Sequence, residues 1–399
     1  MLYPGCCLIR SRAERIGGIR MSYALTEEQQ LIQQNAREFA QEYVEPAAAG
    51  IDSTSAYPAE IVQKMAEHDF LGIFLPGEYG GAEAGYLSYT LLIEEIARVS
   101  GAVAAILISH ASLAAYTINK YGTDEQKQNY LPFLCNGQKL GAFALSEPGA
   151  APGAGAQRVV AVKDGDSYIL NGRKCYVANG GAAGVYIVFA LTNPEAGPKG
   201  ISAFIVDGKT AGLSVARTIG KMGLRGCPSA ELVFENVKVP AASLLGIEGA
   251  GLPIALAAQA AASVVEAAMV VGIAQAAMED AVKYGKQRIQ FRRPIASFPA
   301  IQTMLAEMAT NIHLARLAVY DAAQLIETGE AFTAEAAMVK LFAARIGQSA
   351  LIDVIQIEGG YGYSQEMVAS RLYRDVKGAI IKDSSIDFPE KVIAEALLA

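Results

Sequence analysis

Gly184-Val185-Tyr186-Ile187-Val188-Phe189-Ala190 is a short apolar run dense in β-branched and aromatic residues, which is the signature of a strand. Similar runs flank it: Val159-Val160-Ala161-Val162, Ser167-Tyr168-Ile169-Leu170, Ser202-Ala203-Phe204-Ile205-Val206, Leu213-Ser214-Val215 and Ala230-Glu231-Leu232-Val233-Phe234. Turn formers such as Asp164-Gly165-Asp166 and Asn171-Gly172 separate them, so residues 139–245 are expected to form a β-domain. Outward from it the apolar spacing becomes helical on both sides. Upstream, Thr26-Glu27-Glu28-Gln29 is a capping box, and residues 59–68, 87–99, 102–121 and 123–136 follow as helices. Breaks such as Pro76-Gly77-Glu78-Tyr79-Gly80-Gly81 divide them. Downstream of Gly251, residues 297–328 and 333–358 predict the long members of an antiparallel four-helix bundle. The expected fold is therefore mainly α with a middle β-domain: a helical domain over 21–138, the β-domain over 139–245 and a helical bundle over 246–399.

Composition agrees with several packed domains. With 399 residues, 52% hydrophobic and 18% charged, the chain can bury a large core. A net charge of -7 argues against a nucleic-acid partner, which needs clustered Lys and Arg. The five cysteines contain no C-x-x-C pair, and with His68, His110 and His313 they give no metal-ligand spacing; no metal is expected. Cys135, Cys175 and Cys227 sit in apolar contexts that predict packed thiols in a reducing compartment. Arg10, Arg12, Arg15 and Arg20 beside a single acid, Glu14, resemble an organellar presequence. Residues 1–20 are nevertheless expected to be a disordered leader or artificial start, in a bacterial cytoplasmic protein rather than one of the mitochondrial matrix. Residues 251–278 hold one charge, Glu266, and are long enough to span a bilayer. They are dominated by Ala and interrupted by Gln259, Ser263 and Gln275, which predicts a helix buried in the bundle and no transmembrane segment.

Four motifs bear on chemistry. In Ala144-Leu145-Ser146-Glu147-Pro148-Gly149 a strand ends at a Pro turn, freeing backbone N–H groups and the Ser146 hydroxyl to bond a flat heterocycle; alone it reads as an ordinary turn. Lys286-Gln287-Arg288-Ile289-Gln290-Phe291 offers a guanidinium, which suits phosphate. Gln356-Ile357-Glu358-Gly359-Gly360-Tyr361-Gly362-Tyr363 combines an amide with glycines that allow close approach to a ligand, or that simply end a helix. Arg374-Asp375-Val376-Lys377-Gly378-Ala379-Ile380-Ile381-Lys382-Asp383-Ser384-Ser385 carries a carboxylate that is either a catalytic base or a solvated loop acid.

Taken together, from about Tyr23 to the end, these motifs resemble the acyl-CoA dehydrogenase family. The resemblance implies a β-barrel-like middle domain between the helical domain and the four-helix bundle, FAD, and the removal of two hydrogens from adjacent carbons of an acyl thioester. It implies that Leu145 and Ser146 meet the flavin pyrimidine edge and that Tyr176, Val177 and Ala178 pass its N5 side. Arg288 and Phe291 would meet the FAD pyrophosphate of a neighbouring subunit, Gln356, Gly359 and Gly360 its adenosine diphosphate half, and Ser385 the cofactor near the base. Asp383 would be that base, in place of the family's usual Glu. A homotetramer or homodimer and an electron-transfer flavoprotein, or an equivalent acceptor, are implied as partners.

Several positions depart from the pattern. Ala178 replaces a Thr, the Ser-Asp after the turn is lost within Ala150-Ala151-Pro152-Gly153-Ala154-Gly155, and Ala260 and Ser263 replace an Asp–Arg pair. Ala262 lies near the alternative base position, and Glu266, a turn further on, is expected to be a buried, paired acid. The shorter Asp favours a short-chain, branched or alicyclic acyl-CoA. Lost pantetheine contacts leave room for an acyl-carrier-protein substrate. An enoyl-thioester reductase or a non-dehydrogenating paralogue are further alternatives.

Overall fold

The computed structural model describes residues 15–16, 19–20, 23–149, 157–381 and 387–398, so most of the expected leader lies outside the described residues. Strands β1 (Arg15–Ile16) and β2 (Ile19–Arg20) form a short antiparallel ladder. Helix α1 (Glu27–Phe39) opens on the expected capping box: the Gln29 N–H donates to Thr26 Oγ1 at 3.2 Å and the Thr26 N–H to Gln29 Oε1 at 3.0 Å. A π-helical turn, Ala40–Val44, leads into α2 (Glu45–Thr54), followed by α3 (Ala59–Glu67) and α4 (Gly85–Val99). The one helix expected over 102–121 is instead α5 (Gly101–Leu107), a π-helical stretch Ile108–Ala115 and α6 (Tyr116–Tyr121). A second capping box, Thr123 with Gln126, starts α7 (Asp124–Cys135).

The middle domain is one mixed eight-stranded sheet. Its strands are β3 (Gly141–Ala144), β4 (Val160–Asp164), β5 (Ser167–Ala178), β6 (Val185–Leu191), β7 (Ile201–Asp207), β8 (Leu213–Thr218), β9 (Ser229–Pro240) and β10 (Leu244–Leu245). They are ordered β10-β7-β6-β4-β5-β9-β8, with β3 parallel to β6 off that path. Among the described residues the sheet ends at β10 and β8, and β3 pairs with β6 alone. Strand β6 is apolar on both faces because both are covered: Val185, Ile187 and Phe189 join the helical core, while Tyr186, Val188 and Ala190 join a separate β-core. A strand buried on both faces reads as a continuous apolar run.

The C-terminal part comprises α8 (Gly251–Gln287), a hairpin of β11 (Ile289–Gln290) and β12 (Arg293–Pro294), α9 (Pro299–Thr328), α10 (Thr333–Glu358), α11 (Val368–Ile381) and α12 (Asp387–Leu398). Helix α8 packs on α4, α9, α10 and α11, so its Ala-rich sequence serves close approach on many sides. Both α8 and the segment Gly101–Tyr121 are long and apolar enough to cross a membrane, and both lie largely inside the protein. The helices before and after the sheet share a single core. They are also tied by charge: buried Glu94 on α4 accepts from Arg316 Nε at 2.8 Å and Tyr320 OH at 2.9 Å on α9, and Arg316 reaches Gln275 on α8 at 2.9 Å.

The closest approach of α8 to α4 is at Gly272, where a Cβ would stand 2.2 Å from the Glu94 carbonyl oxygen. Gly272→Ala is expected to cost about 1–3 kcal/mol, the price of overpacking against backbone. Gly50→Ala, in α2 with nothing within 4 Å of a new Cβ, should instead stabilise by about 0.5–1 kcal/mol. Urea midpoints of the two variants measured together check both signs.

Candidate active site

Two concave places bring the sequence-singled residues together. The first is a crevice where β3 ends beside β5, lined by Leu145, Ser146, Tyr176 and Ala178 with Ser109, Leu113, Phe143, Cys175 and Gln259. Ser109 and Leu113 come from the π-helical stretch, a feature frequent at functional sites, and no sequence signal foretold it. Ser109 Oγ donates to the Ala178 carbonyl at 3.3 Å. Val177 does not line the crevice; it is buried in the β-core. The reason is local: β5 shifts register between Lys174 and Val177, and Tyr176 sits at φ 54°, which interrupts the strand alternation and leaves Tyr176 66% exposed.

Buried side chains hold the crevice walls. Lys174 is fully buried and donates to the Leu145 carbonyl at 3.0 Å, to Glu147 Oε1 at 2.7 Å and to Gln157. The Glu147 carboxylate also accepts the Arg158 N–H at 2.6 Å and the Val159 N–H at 3.0 Å. Burial pushes the Lys174 ammonium down to about 8, against the upward pull of Glu147. The Ser-Glu-Pro turn is therefore fixed from behind by its own glutamate. His110 Nδ1 accepts the Gly141 N–H at 2.9 Å at the start of β3, and burial pushes this imidazole down to about 4, keeping it neutral and an acceptor. Asn179 donates to the Ile106 and Gly141 carbonyls at 3.0 and 3.1 Å. Cys175 is a buried thiol raised chiefly by burial.

The second place is a cleft of about 630 Å³ at the far end of α8, lined by Arg288, Gly359, Gly360, Tyr284, Tyr361 and Glu358 among others. Gly359 ends α10 at φ 63°, ψ -137°, open to glycine and costly for other residues. The Arg288 guanidinium lies 5.8 Å from the Tyr361 ring centroid. Gln356 and Phe291 are not on the cleft wall. Gln356 is exposed on the last turn of α10, and Phe291 stands 86% exposed at the tip of the β11–β12 hairpin. There Phe291 and Arg292 both take positive φ, 50° and 63°, the geometry of a tight primed turn usually given to Gly or Asn.

Asp383 and Ser385 lie outside the described residues. The helix before them is anchored: Arg374 pairs with Asp52 and donates to the Met222 carbonyl at 3.0 Å, while Asp375 accepts the Leu224 N–H at 2.6 Å. Burial chiefly pushes Asp375 up to about 6. Glu266 is buried and paired with Lys340, which also reaches the Ala379 carbonyl at 3.4 Å.

The crevice presents polar groups, Ser109, Ser146 and Gln259, together with an apolar wall of Leu113, Phe143, Leu145 and Ala178, which suits a planar heterocycle with a hydrogen-bonding edge. The second cleft adds a guanidinium beside bare backbone, the chemistry of a diphosphate site. Site and fold together fit a flavin-binding oxidoreductase. Family models for the N-terminal, middle and C-terminal domains of acyl-CoA dehydrogenase match residues 26–138, 142–237 and 249–398. An acyl-CoA dehydrogenase of Bacillus subtilis (strain 168) is 44% identical over 374 residues, 94% of this chain and 99% of that one. A 3-(aryl)acrylate reductase of Clostridium sporogenes (strain ATCC 15579) is 45% identical over 373 residues, again 94% and 99%. The structure of butyryl-CoA dehydrogenase from Megasphaera elsdenii superposes with a TM-score of 0.93 at 38% identity, covering 95% of this chain and 100% of that one. The chain belongs to the acyl-CoA dehydrogenase family. It is an FAD-dependent oxidoreductase acting on CH–CH bonds of acyl-CoA.

Lys174→Met should leave Glu147 buried without its cation and cost about 3–5 kcal/mol. Adding Glu147→Gln to that variant should recover part of the loss, a non-additivity that denaturant midpoints of the two singles and the double will measure.

Proposed function

We propose that the protein oxidises a short-chain acyl-CoA to its α,β-unsaturated thioester, with FAD held between two subunits and Asp383 as the base. The observation that carries the shared site is a separation. Gln259 in the crevice and Arg288 in the cleft lie on one unbroken stretch of helix and its cap, about 43 Å apart at 1.5 Å per residue. One dinucleotide does not bridge that distance, so each FAD takes its flavin half from one chain and its diphosphate half from another. The exposed Phe291, on a conformationally costly turn beside the cleft, fits a residue completed by a second copy.

Bound FAD supplies the two-electron acceptor that takes hydride from the substrate β carbon. The chain's part is to orient and to move one proton. Leu145, Ser146, Tyr176 and Ala178 would hold the flavin of one subunit's FAD; Arg288 and Phe291 would meet the pyrophosphate of a neighbouring subunit's FAD, with Gln356, Gly359 and Gly360 at its adenosine diphosphate half, and Ser385 near the base. Asp383 would take the proton from the α carbon while its backbone N–H polarises the thioester carbonyl. Among the described residues no carboxylate lines the crevice, and Glu266 is paired with Lys340, which supports the reading of Asp383 as the base. The short side chain leaves room for a branched or alicyclic acyl group. Relatives named as dehydrogenase and as reductase support either direction at the same site, with an electron-transfer flavoprotein as the redox partner in a bacterial cytoplasm.

Asp383→Asn should slow anaerobic flavin reduction by about 10²-fold or more while FAD stays bound; wild-type rates in rapid mixing would falsify the assignment. In a thioester panel, butyryl-, isobutyryl- and cyclohexanecarboxyl-CoA should bleach the flavin faster than octanoyl-CoA, and the reverse order sinks the short-chain reading. Arg288→Ala should weaken FAD binding about tenfold to a hundredfold, as loss of charged hydrogen bonds does. A monomer, identified by light scattering, that keeps FAD as tightly as the assembly overturns the shared site.

A further inference from the structure

Glu358, the last residue of α10, is only 2% exposed, and among the described residues neither of its oxygens meets a hydrogen-bond partner while it is ionised. It lines the same cleft as Arg288, Gly359 and Gly360. From α8 it faces a second acid, Asp280; burial first, and the charge of Asp280 second, pushes Glu358 up to about 7. The other titratable groups around the cleft are Arg288 and Tyr284 from the α8 end and Tyr361 and Glu366 from the segment after α10. Lys283 accompanies Asp280 on the wall of the neighbouring cleft. A buried carboxyl with no partner is costly as an anion, and a carboxylate neighbour makes it costlier. The acid is tolerable if it carries a proton.

We propose that Glu358 is a proton-controlled determinant of dinucleotide affinity: neutral, it leaves Arg288 to attract the diphosphate, and ionised, it joins Asp280 in repelling it. This rests on the cleft being the diphosphate half of the FAD site. The neutral acid also brings an O–H donor, which the neighbouring Asp280 carboxylate or an acceptor on the nucleotide can take, whereas the anion has none. On ionisation the proton passes to solvent and no bond in the ligand changes.

The sign follows from linkage. The folded-state value is raised, so between about 4.5 and about 7 the folded chain holds a proton that the unfolded chain has released. The stabilisation is full below the unfolded value and is lost as pH rises through the folded one. A ligand that prefers the neutral acid obeys the same sign, weakening by at most about tenfold per pH unit for one linked proton.

The experiment follows FAD release from diluted holoenzyme, by the fluorescence of free flavin, between pH 6 and 8.5. Wild type should lose affinity by about tenfold across that window. Glu358→Gln, neutral at every pH and of the same shape, should bind as tightly at pH 8.5 as at pH 6, and Glu358→Leu guards against a failure of the Gln variant to fold. A wild-type pH profile in both neutral variants, or a flat profile in the wild type, overturns the inference. Arg288→Ala separates the two layers. If it loses FAD at all pH values while Glu358→Gln keeps the wild-type profile, only the role of Glu358 falls. If it retains FAD fully, the placement of the diphosphate falls and the role of Glu358 goes with it.

Discussion

Helix α8 is the constraint on which the rest of the molecule depends. It touches α4, α9, α10 and α11 along its length and reaches β7 near its start, so much of its surface has no solvent face on which to place bulk or charge. Small residues let neighbouring backbones come close, as Gly272 does beneath α4. The same helix sets the spacing of the functional places, with Gln259 near its start and Arg288 just past its end. A single helix thus fixes both the packing of the helical core and the separation of the crevice from the cleft.

Among the described residues, buried ion pairs join separate elements: Glu94 with Arg316, Glu147 with Lys174, and Glu266 with Lys340. Such pairs add little net stability over well-packed apolar groups, because desolvation offsets most of the attraction, yet breaking one is expensive. Their effect is to make wrong registers costly. Each joins two elements that shape alone would let slide: α4 to α9, the β3 turn to β5, and α8 to α10. Among the described residues Glu358 has no such cation, and burial favours its protonated form instead.

Much of the fold was legible because it is written locally. The capping box at Thr26, the strand runs and the helical spacing each depend on residues a few positions apart, and α10 begins and ends where its pattern does. What escaped depends on distant partners. The π-helical stretch Ile108–Ala115 has the spacing of an ordinary buried helix, and the sheet order puts β6 between β7 and β4 for reasons no single strand records. The site was legible as motifs rather than as geometry. Leu145, Ser146, Tyr176 and Ala178 converge on one crevice, whereas Val177 turns away because of a bulge that strand alternation does not announce. Lys174 and His110 were missed for the same reason: a lysine in a strand and a lone histidine gain meaning only from Glu147 and Gly141 across the fold.

Strand β6, apolar on both faces, bears on how the chain is made. Its outward residues Val185, Ile187 and Phe189 share a core with Ile254 and Ala258 of α8, some seventy residues later in synthesis. Until that helix has left the ribosome, one face of the sheet lacks part of its cover, and at about 5–20 residues per second this lasts for seconds. That face of the sheet is therefore completed only when α8 packs on it, and truncation before α8 should leave apolar β6 side chains uncovered, a liability for aggregation rather than a smaller stable protein.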